Sequence, residues 1–385
     1  MRIAHLTDLH LRRHLPGTSI LGKRRSREAA SVIEHALRDA RERGADVVVV
    51  TGDLVDVPPY LLAGQTPSCW DAERWLAAME ADYLLIRTML ADSGLPAIVV
   101  PGNHDSYEVA ERVFGASPAV REIGGLTFVS FWDEEDQRHV PRRLGRQREL
   151  FDRMLAQPRP QVHLQHFVIT PELNEDWPHT YAEGEELRRH IVDSGSVRLS
   201  LSGHYHPGTD LIRDAGTAFS AGSALVEPPH CYRIYDVDDA DADTPVTMQV
   251  VPLLADRLRR PAAFVDYAAC LTALPANLGE LESLRPRDGA AAVLSDLAAA
   301  GYLLIALADE SWAARARRTP HLVDAVLDRA AELFGDEGAV IDAVYFASTA
   351  TRTAALRQAT AELRLDLESS CLVSSDGVAP MPFAW

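Results

Sequence analysis

The chain has 385 residues, 47% of them apolar and 24% charged, a balance that excludes intrinsically disordered and fibrous proteins. This length exceeds what one hydrophobic core usually organises, so we expect two domains. Acidic residues outnumber basic ones by 56 to 38, and the resulting net charge of −18 repels polyanions, which disfavours nucleic acid as a partner.

The cysteines and the apolar stretches exclude further classes of protein. The 4 cysteines are scattered and form no CxxC pair, which excludes a disulfide framework and a zinc–thiolate site. The chain begins on a strand-like segment with no apolar signal region, so we expect a cytoplasmic protein. The longest apolar stretch, residues 290–308, is interrupted by Asp296 and Gly301. It therefore predicts a core helix, a turn and a buried strand rather than a membrane span.

The first 255 residues or so alternate between amphipathic helices and short β-branched strands. A helix is predicted from Arg27 to Arg43 because apolar residues recur on one face, and Gly44 is a suitable residue to end it. The predicted strands are Val47–Val50, Ala97–Val100, Val162–Leu164 and Leu199–Leu201.

A second alternation follows a charged connector at residues 255–260. Its predicted strands begin at Ala263, Leu303, Ala343 and Cys371, and helices are predicted up to about Ala300, over Leu322–Phe334 and over Thr353–Leu363. This pattern predicts a small domain with a parallel sheet. The expected domains are therefore residues 1–255 and 256–385.

Polar clusters follow five of the predicted strands or apolar segments in the first part. They are Asp8 with His10, Asp53 with Asp56, Asn103 with His104 and Asp105, His166, and His204 with His206. The ends of strands in α/β sheets are where side chains from different segments can converge on one ligand. Carboxylate, amide and imidazole groups bind divalent metals, and glycines before Asp53, Asn103 and His204 permit tight turns there.

The five clusters in this order resemble the calcineurin-like metallophosphoesterase family over about residues 1–255. The resemblance implies an α/β fold, a four-layer α/β/β/α sandwich, followed here by a smaller Rossmann-like α/β domain. It also implies two divalent metal ions as cofactors, for which Mn²⁺, Fe and Zn²⁺ are all suitable. Asp8, His10, Asp53 and His206 would hold one metal ion. Asp53, Asn103, His166 and His204 would hold the other, with Asp53 bridging.

The same resemblance implies catalytic roles for His104 and Asp105. His104 would stabilise the transition state or protonate the leaving oxygen, and Asp105 would hold His104 in place. A hydroxide bridging the metals would be the nucleophile. The chain would thus be a phosphohydrolase of small phosphorylated substrates, with phosphodiesters favoured. The alternatives are a phosphomonoesterase or nucleotide pyrophosphatase of the same family, and a non-catalytic metal-binding scaffold.

Several positions leave alternatives open. His163 is a second candidate for the ligand role of His166, although its place inside a predicted strand favours a structural role. Asp56 is expected to be a structural hydrogen-bonding group behind Asp53. The basic run from Arg12 to Arg27 is expected to be solvated or to flank a helix, or else to contact the substrate through Arg12 or Arg13. The aromatic residues after His166 could line the pocket or simply pack; they are Trp177, His179 and Tyr181.

The C-terminal part resembles the haloacid-dehalogenase-like phosphatases of the histidinol-phosphatase type. Asp266 stands where that family has its nucleophile, but the acid/base position two residues later is Ala268. The other motif positions are occupied by Ala308, Thr353 and Ser374, which lack the expected groups. We therefore expect a catalytically inactive domain that caps the substrate, serves structure or forms a homo-oligomer.

Overall fold

The computed structural model describes residues 1–62, 64, 71–115, 119–175, 177–238, 244–253, 260–272, 275, 277–311, 320–348, 350–375 and 377–381. The chain forms two compact units. Unit 1 comprises Met1–His10, Ala29–Asp56 and Tyr83–Ala255. Unit 2 comprises Leu11–Glu28, Val57–Asp82 and Asp256–Trp385. Unit 2 thus includes two segments from the N-terminal part, and the expected domain boundary at residue 255 itself lies outside the described residues.

The strands are, in chain order, β1 (Arg2–Leu6), β2 (Val47–Thr51), β3 (Ala97–Val100), β4 (Ala119–Ile123), β5 (Leu126–Ser130), β6 (Glu134–Glu135), β7 (Pro141–Arg142), β8 (Gln161–Leu164), β9 (Val197–Ser202), β10 (Ile212–Asp214), β11 (Thr217–Ala221), β12 (Cys231–Asp236), β13 (Thr247–Pro252), β14 (Ala262–Asp266), β15 (Leu303–Ala308), β16 (Ile341–Phe346), β17 (Cys371–Ser374) and β18 (Gly377–Pro380).

The helices are, in chain order, α1 (Ala29–Glu42), α2 (Pro59–Leu62), α3 (Ala72–Asp92), α4 (Tyr107–Phe114), α5 (Gly145–Leu155), α6 (Gly184–Ser194), α7 (Tyr267–Cys270), α8 (Ala290–Ala299), α9 (Pro320–Gly335) and α10 (Arg352–Leu363). A 3₁₀ helix covers Leu278–Ser283.

Unit 1 contains two mixed sheets, which gives the α/β fold expected from the sequence. The first sheet has the order β13-β12-β1-β2-β3, with β1, β2 and β3 parallel. Every residue of β2 is buried, as expected for a valine-rich strand inside a parallel sheet. The second sheet has the order β10-β11-β9-β8-β5-β4, with β11, β9, β8 and β5 parallel. Helices α5 and α6 pack on it through Leu150, Phe151 and Leu187.

The topology brings the predicted polar clusters to strand ends of the same type. Asp8, Asp53 and Asn103 follow the carboxyl ends of the adjacent parallel strands β1, β2 and β3. His166 and His204 likewise follow β8 and β9, which are adjacent and parallel in the second sheet. Ligands of α/β sheets bind at these carboxyl ends.

Unit 2 is built on a sheet with the order β16-β15-β14-β17-β18, in which β14 to β17 are parallel and β18 is antiparallel to β17. The predicted alternation of strands and helices is confirmed, whereas β18 was not predicted. The apolar stretch at residues 290–308 forms α8, a turn at Gly301 and the buried strand β15, as predicted. None of the helices in the described part of the chain has the length and apolar character needed to cross a membrane.

The two N-terminal segments of unit 2 are attached to helix α9 by buried polar contacts. The Asp328 carboxylate accepts hydrogen bonds from Arg12 Nη1 at 2.9 Å and from the Tyr60 hydroxyl at 2.7 Å. Arg12, Arg24 and Arg25 are all buried. The expectation of a solvated basic run is therefore wrong for these three residues, because burial here is supported by ion pairs such as Arg12–Asp328.

Candidate dinuclear metal centre

The candidate ligands lie on sharply turned backbone at the strand ends of unit 1. Asp8, His10, Asp53 and His204 have left-handed φ angles of 51°, 41°, 49° and 64°. Such conformations cost non-glycine residues about 1–3 kcal/mol each and cluster at functional sites. The turns bond to one another, since Asp8 N donates to Gly52 O at 3.0 Å and His10 N donates to Asp53 O at 2.8 Å.

The glycines of the motifs are needed for close approach between segments. A Cβ on Gly52 would clash with the His166 ring, and one on Gly102 would clash with the Asp53 carboxylate. A Cβ on Gly203 would clash with the Thr7 hydroxyl. The sequence predicted tight turns at these glycines, and the structure identifies neighbouring side chains as the groups that require the space.

One group of donors consists of Asp8, His10, Asp53 and His206, whose ligand atoms all lie within 4.8 Å of one another. His10 Nε2 is 3.4 Å from Asp53 Oδ2 and 3.3 Å from His206 Nε2. His206 Nε2 is 3.5 Å from Asp8 Oδ1. The ligand atoms of two imidazoles and two carboxylates are therefore close enough for a single cation to contact all four.

A second group consists of Asp53, His166 and His204, again within 4.8 Å of one another. His166 Nε2 lies 3.4 Å from the other oxygen of Asp53, Oδ1, and 3.0 Å from Asn103 Oδ1. The ring centroids of His166 and His204 are 4.9 Å apart. Asp53 therefore presents one carboxylate oxygen to each group.

The charge states of these groups suit cation binding. Burial would raise the pKa values of Asp8 and Asp53, but the histidines around them outweigh it and the net direction is downward, so both stay ionised. Burial and the charge of His166 hold the pKa of His204 well below its usual range, which keeps its imidazole neutral. Its Nε2 is buried and has no hydrogen-bond partner among the residues that the structure describes.

This donor set fits two divalent cations. Buried carboxylates, an amide oxygen and neutral imidazoles are suitable ligands for Mn²⁺, Fe and Zn²⁺. The unpartnered Nε2 of His204 also needs a partner, because an unsatisfied buried polar atom is costly. The residues thus fit a dinuclear centre, and the chemistry does not distinguish between these metals.

Comparison with known proteins agrees with this geometry. The family model described as calcineurin-like phosphoesterase matches residues 1–208 of the chain. The chain belongs to this family. Its members are hydrolases that act on phosphate esters, which makes this chain a metal-dependent phosphoesterase by membership.

The individual relatives share 26% sequence identity or less with this chain. A protein of Synechococcus sp. named probable cyclic nucleotide phosphodiesterase is 26% identical over 212 residues, or 54% of this chain and 73% of that protein. A dimetal phosphatase from Danio rerio aligns with a TM-score of 0.48 and 15% identity, covering 65% of this chain and 95% of that one. A purple acid phosphatase from yellow lupin aligns with a TM-score of 0.42 and 13% identity, covering 62% and 49%.

His104 of this phosphoesterase lies beside the first donor group. Its ring meets the His10 ring edge-on at 4.9 Å, and its side chain is 28% exposed, more than the candidate ligands His10 and His166. Its Nδ1 is 3.3 Å from Asp56 Oδ1. The same Asp56 oxygen is 3.7 Å from His10 Nδ1, so one carboxylate faces both rings. These three residues form a further cluster with ligand atoms within 4.8 Å.

Asp105 has other partners than the predicted one. Its carboxylate accepts hydrogen bonds from the backbone N–H groups of Leu54, Val55 and Gly102, and from the Tyr83 hydroxyl at 2.9 Å. Burial and the charge of Asp53 raise its pKa to about 6. The expectation that Asp105 holds His104 is corrected here: Asp105 ties the motif loops together, and Asp56 is the carboxylate next to His104.

Two groups around the centre were missed at the sequence level. Glu227 Oε1 lies 2.6 Å from His206 Nδ1, and the Thr7 hydroxyl donates to Asp8 Oδ2 at 2.8 Å. Partners of this kind fix the orientation of metal-binding side chains. Thr7 is adjacent to Asp8 and could have been considered, whereas nothing in the spacing points to Glu227, 21 residues after His206.

The structure separates the two histidines near β8. His163 lies inside the strand, with Nε2 2.9 Å from Gln161 Oε1 and its ring 5.1 Å from the Phe131 ring, so it is placed in the core. His166 follows the strand, and its Nδ1 is 2.8 Å from Thr51 O while its Nε2 faces Asn103. His166 is thus the one that the fold brings to the donor groups.

The three aromatic residues after His166 have different surroundings. Tyr181 is buried and hydrogen-bonds Asp133 at 2.6 Å, which makes it a packing residue. The His179 ring lies 5.0 Å from the ring of His204, and Trp177 remains 41% exposed. Lining of the site is therefore possible for His179 and Trp177 and not for Tyr181.

Proposed function

We propose that this phosphoesterase hydrolyses phosphodiester bonds of small substrates at a centre of two divalent cations. The observation that carries the proposal is the position of Asp53 between two donor groups, one carboxylate oxygen facing each. A single shared carboxylate is what two closely spaced cations need as a bridge. The name of the Synechococcus relative, a probable cyclic nucleotide phosphodiesterase, supports the preference for diesters.

In this proposal Asp8, His10, Asp53 and His206 hold one cation, and Asp53, Asn103, His166 and His204 hold the other. When bound, the cations would neutralise phosphoryl oxygens and lower the pKa of water, which is how dinuclear centres promote hydrolysis. Glu227 and Thr7 orient His206 and Asp8, so that His206 Nε2 and Asp8 Oδ1 lie 3.5 Å apart at the centre.

His104 is the proposed acid for the leaving group. Asp56 beside Nδ1 fixes the ring and leaves Nε2 to face a bound phosphate. The alkoxide that leaves a phosphodiester is a poor leaving group unless it receives a proton, and an imidazolium can supply one. The partial exposure of His104 is consistent with contact to substrate rather than with a buried structural role.

The charge of the chain supports a diester over a monoester. With a net charge of −18, the protein repels a doubly charged monoester more strongly than a singly charged diester. The cations of the centre provide the local positive potential that such a small anion would follow.

We further propose that the haloacid-dehalogenase-like part of the chain is not catalytic. Asp266, at the position of that family's nucleophile, is paired with Arg352 at 2.8 Å and caps α7 by accepting a hydrogen bond from Ala268 N at 3.1 Å. A carboxylate engaged in this way is a poor nucleophile. The absence of an acid/base group at Ala268 supports the same view.

The test is hydrolysis of bis(4-nitrophenyl) phosphate and of 4-nitrophenyl phosphate by protein loaded with Mn²⁺, with and without chelator. We expect turnover of the diester to exceed that of the monoester and to be lost on chelation. For a diester whose leaving group is an alkoxide, such as 3′,5′-cyclic AMP, His104→Ala should lower kcat by about 10²–10⁴-fold while bound metal, measured by elemental analysis, is unchanged. Asp266→Asn should leave turnover unchanged.

Absence of turnover of either ester by metal-loaded protein would contradict the proposal and leave a metal-binding scaffold. Faster turnover of the monoester would contradict the diester preference alone. Loss of activity in Asp266→Asn with folding intact would contradict the non-catalytic role of the C-terminal part. Elemental analysis of protein purified without chelator identifies the metals.

A further inference from the structure

An exposed indole ring lies on the segment that follows the candidate ligand His166 in unit 1. Trp177 is 41% exposed, although tryptophan is usually well buried. Its ring centroid is 5.0 Å from that of His139, and the two planes are inclined by 35°. The His139 side chain is itself 59% exposed, so both rings of the pair are partly solvated.

Backbone hydrogen bonds and one ring contact link the segment of Trp177 to His204 through His179. His179 N donates to Trp177 O at 2.9 Å, and the His179 ring lies 5.0 Å from His204, a candidate metal ligand. Val168 N donates to His179 O at 3.1 Å, and Val168 is two residues after His166. The segment of Trp177 is thus hydrogen-bonded to the segment that directly follows the candidate metal ligand His166.

His139 is held in place from the other side. Its Nδ1 is 2.9 Å from Glu135 Oε2, and its own φ of 59° belongs to a tight turn closed by the bond from Asp136 N to Val140 O at 2.9 Å.

We infer that Trp177 and His139 form a stacking platform for the base of a nucleoside phosphodiester whose phosphate occupies the metal centre. The inference rests on the proposed function, which it deepens by naming the substrate class. An exposed aromatic ring beside a phosphate site is a stacking surface for a planar base, and stacking of this kind accepts any base because all have a π-face. Trp177 is the principal contact, and His139 is a positioning residue that supports it.

The test compares two substrates that differ only in the base. These are 3′,5′-cyclic AMP and the 3′,5′-cyclic phosphate of methyl riboside, which has no base. We expect a lower KM for cyclic AMP than for the abasic diester in the wild-type protein. Trp177→Ala should raise KM for cyclic AMP about tenfold, with kcat within about twofold, and should leave KM for the abasic diester unchanged.

Two further variants separate stacking from folding. Trp177→Phe should retain most of the affinity for cyclic AMP because the aromatic face remains. Leu144→Ala is the matched control, since Leu144 is also an exposed apolar residue of unit 1, at 63% exposure, and it has no part in the platform. We expect its KM values for both substrates to equal those of the wild-type protein.

Equal KM values for the two cyclic diesters, or an unchanged KM for cyclic AMP in Trp177→Ala, would overturn the platform. Turnover of bis(4-nitrophenyl) phosphate without any binding of cyclic AMP would overturn the substrate class and leave the proposed function intact. If no ester is hydrolysed, the proposed function fails, and calorimetric titration of AMP into metal-loaded wild-type and Trp177→Ala proteins still decides the platform. A Kd equal in the two proteins would overturn it.

Discussion

At the scale of single residues, the centre depends on groups that orient the candidate ligands. The imidazole of His206 has one nitrogen, Nδ1, on Glu227 and the other 3.5 Å from Asp8. A carboxylate on the distal nitrogen fixes the tautomer and makes the imidazole a stronger ligand. A histidine ring without such a partner would lose side-chain entropy on binding a metal, and this loss would weaken the binding.

Glu227→Gln should weaken metal binding. The glutamine can still accept a hydrogen bond from His206 Nδ1, but the negative charge is lost, so we expect metal affinity to fall about 10–100-fold. Titration of Mn²⁺ into metal-free protein, followed by calorimetry and by turnover, measures the change. Glu186→Gln is the control, because Glu186 pairs with Arg148 on the surface. Equal Mn²⁺ affinity in both variants would contradict the assigned role of Glu227.

At the scale of elements, a buried ion pair connects the strand ends of unit 1 that lie beside the α5–α6 core. Arg143 follows β7 and Asp133 follows β5, and their side chains, both fully buried, approach to 2.8 Å. The guanidinium group also lies 3.7 Å from the Phe131 ring centroid. Because both side chains are fully buried, water cannot solvate either charge if its partner is removed.

Asp133→Asn should therefore lower the free energy of unfolding by about 3–5 kcal/mol, since it leaves the Arg143 charge buried and uncompensated. Urea unfolding at neutral pH measures the change. Asp152→Asn removes an exposed pair with Arg148, at 3.0 Å, and is expected to cost at most about 1 kcal/mol. A cost for Asp133→Asn no greater than that of Asp152→Asn would show that this pair does not stabilise the fold.

At the scale of the whole molecule, buried histidines make stability depend on pH. Burial, with the charge of Arg233 adding to it, lowers the pKa of His5 to about 3, and burial and the charge of Arg143 hold the pKa of His163 well below its usual range. In the unfolded chain both titrate near 6.5, so below that pH the unfolded state binds protons that the folded state does not. The free energy of unfolding therefore falls as pH decreases below about 6.5.

His163→Gln should remove the contribution of His163 to the pH dependence of the free energy of unfolding. The loss of stability relative to the wild-type protein is expected to be larger at pH 7 than at pH 5.5, by about 1 kcal/mol, because the wild-type protein loses the contribution of His163 between these values. Urea unfolding of both proteins at the two pH values measures the difference, and contributions from the metal centre cancel in the comparison. A stability difference independent of pH would contradict the buried, neutral state of His163.

Much of the fold follows from local patterns in the sequence. The helix predicted over Arg27–Arg43 is α1, and its predicted apolar face is buried, because the 3.6-residue period of that face can be satisfied only by a helix packed on a core. The valine strand β2 is buried on both faces because it lies inside a parallel sheet. The position of the polar clusters after strands indicated that their side chains converge, since parallel strands end at one edge of a sheet. The resemblance to the family implied how they divide between two cations.

Contacts between residues far apart in sequence were decided only by tertiary structure. Asp56 and Asp105 are both carboxylates near His104 in the motifs, and only the turn geometry assigns Asp56 to the His104 ring and Asp105 to the backbone. The burial of Arg12 required Asp328, which is 316 residues away. Periodicity reports whether a segment is buried, but it carries no information on which distant polar group will be its partner.

The sequence by itself thus determined the α/β elements, the strand ends that carry the donor groups and the class of chemistry that aspartate, asparagine and histidine can support. The tertiary structure decided the partners: Asp56 beside His104, Glu227 behind His206, and the exposed Trp177 against His139. The physical reason is that local propensity acts over a few residues, whereas orientation, burial and charge state depend on neighbours that only the folded chain brings together.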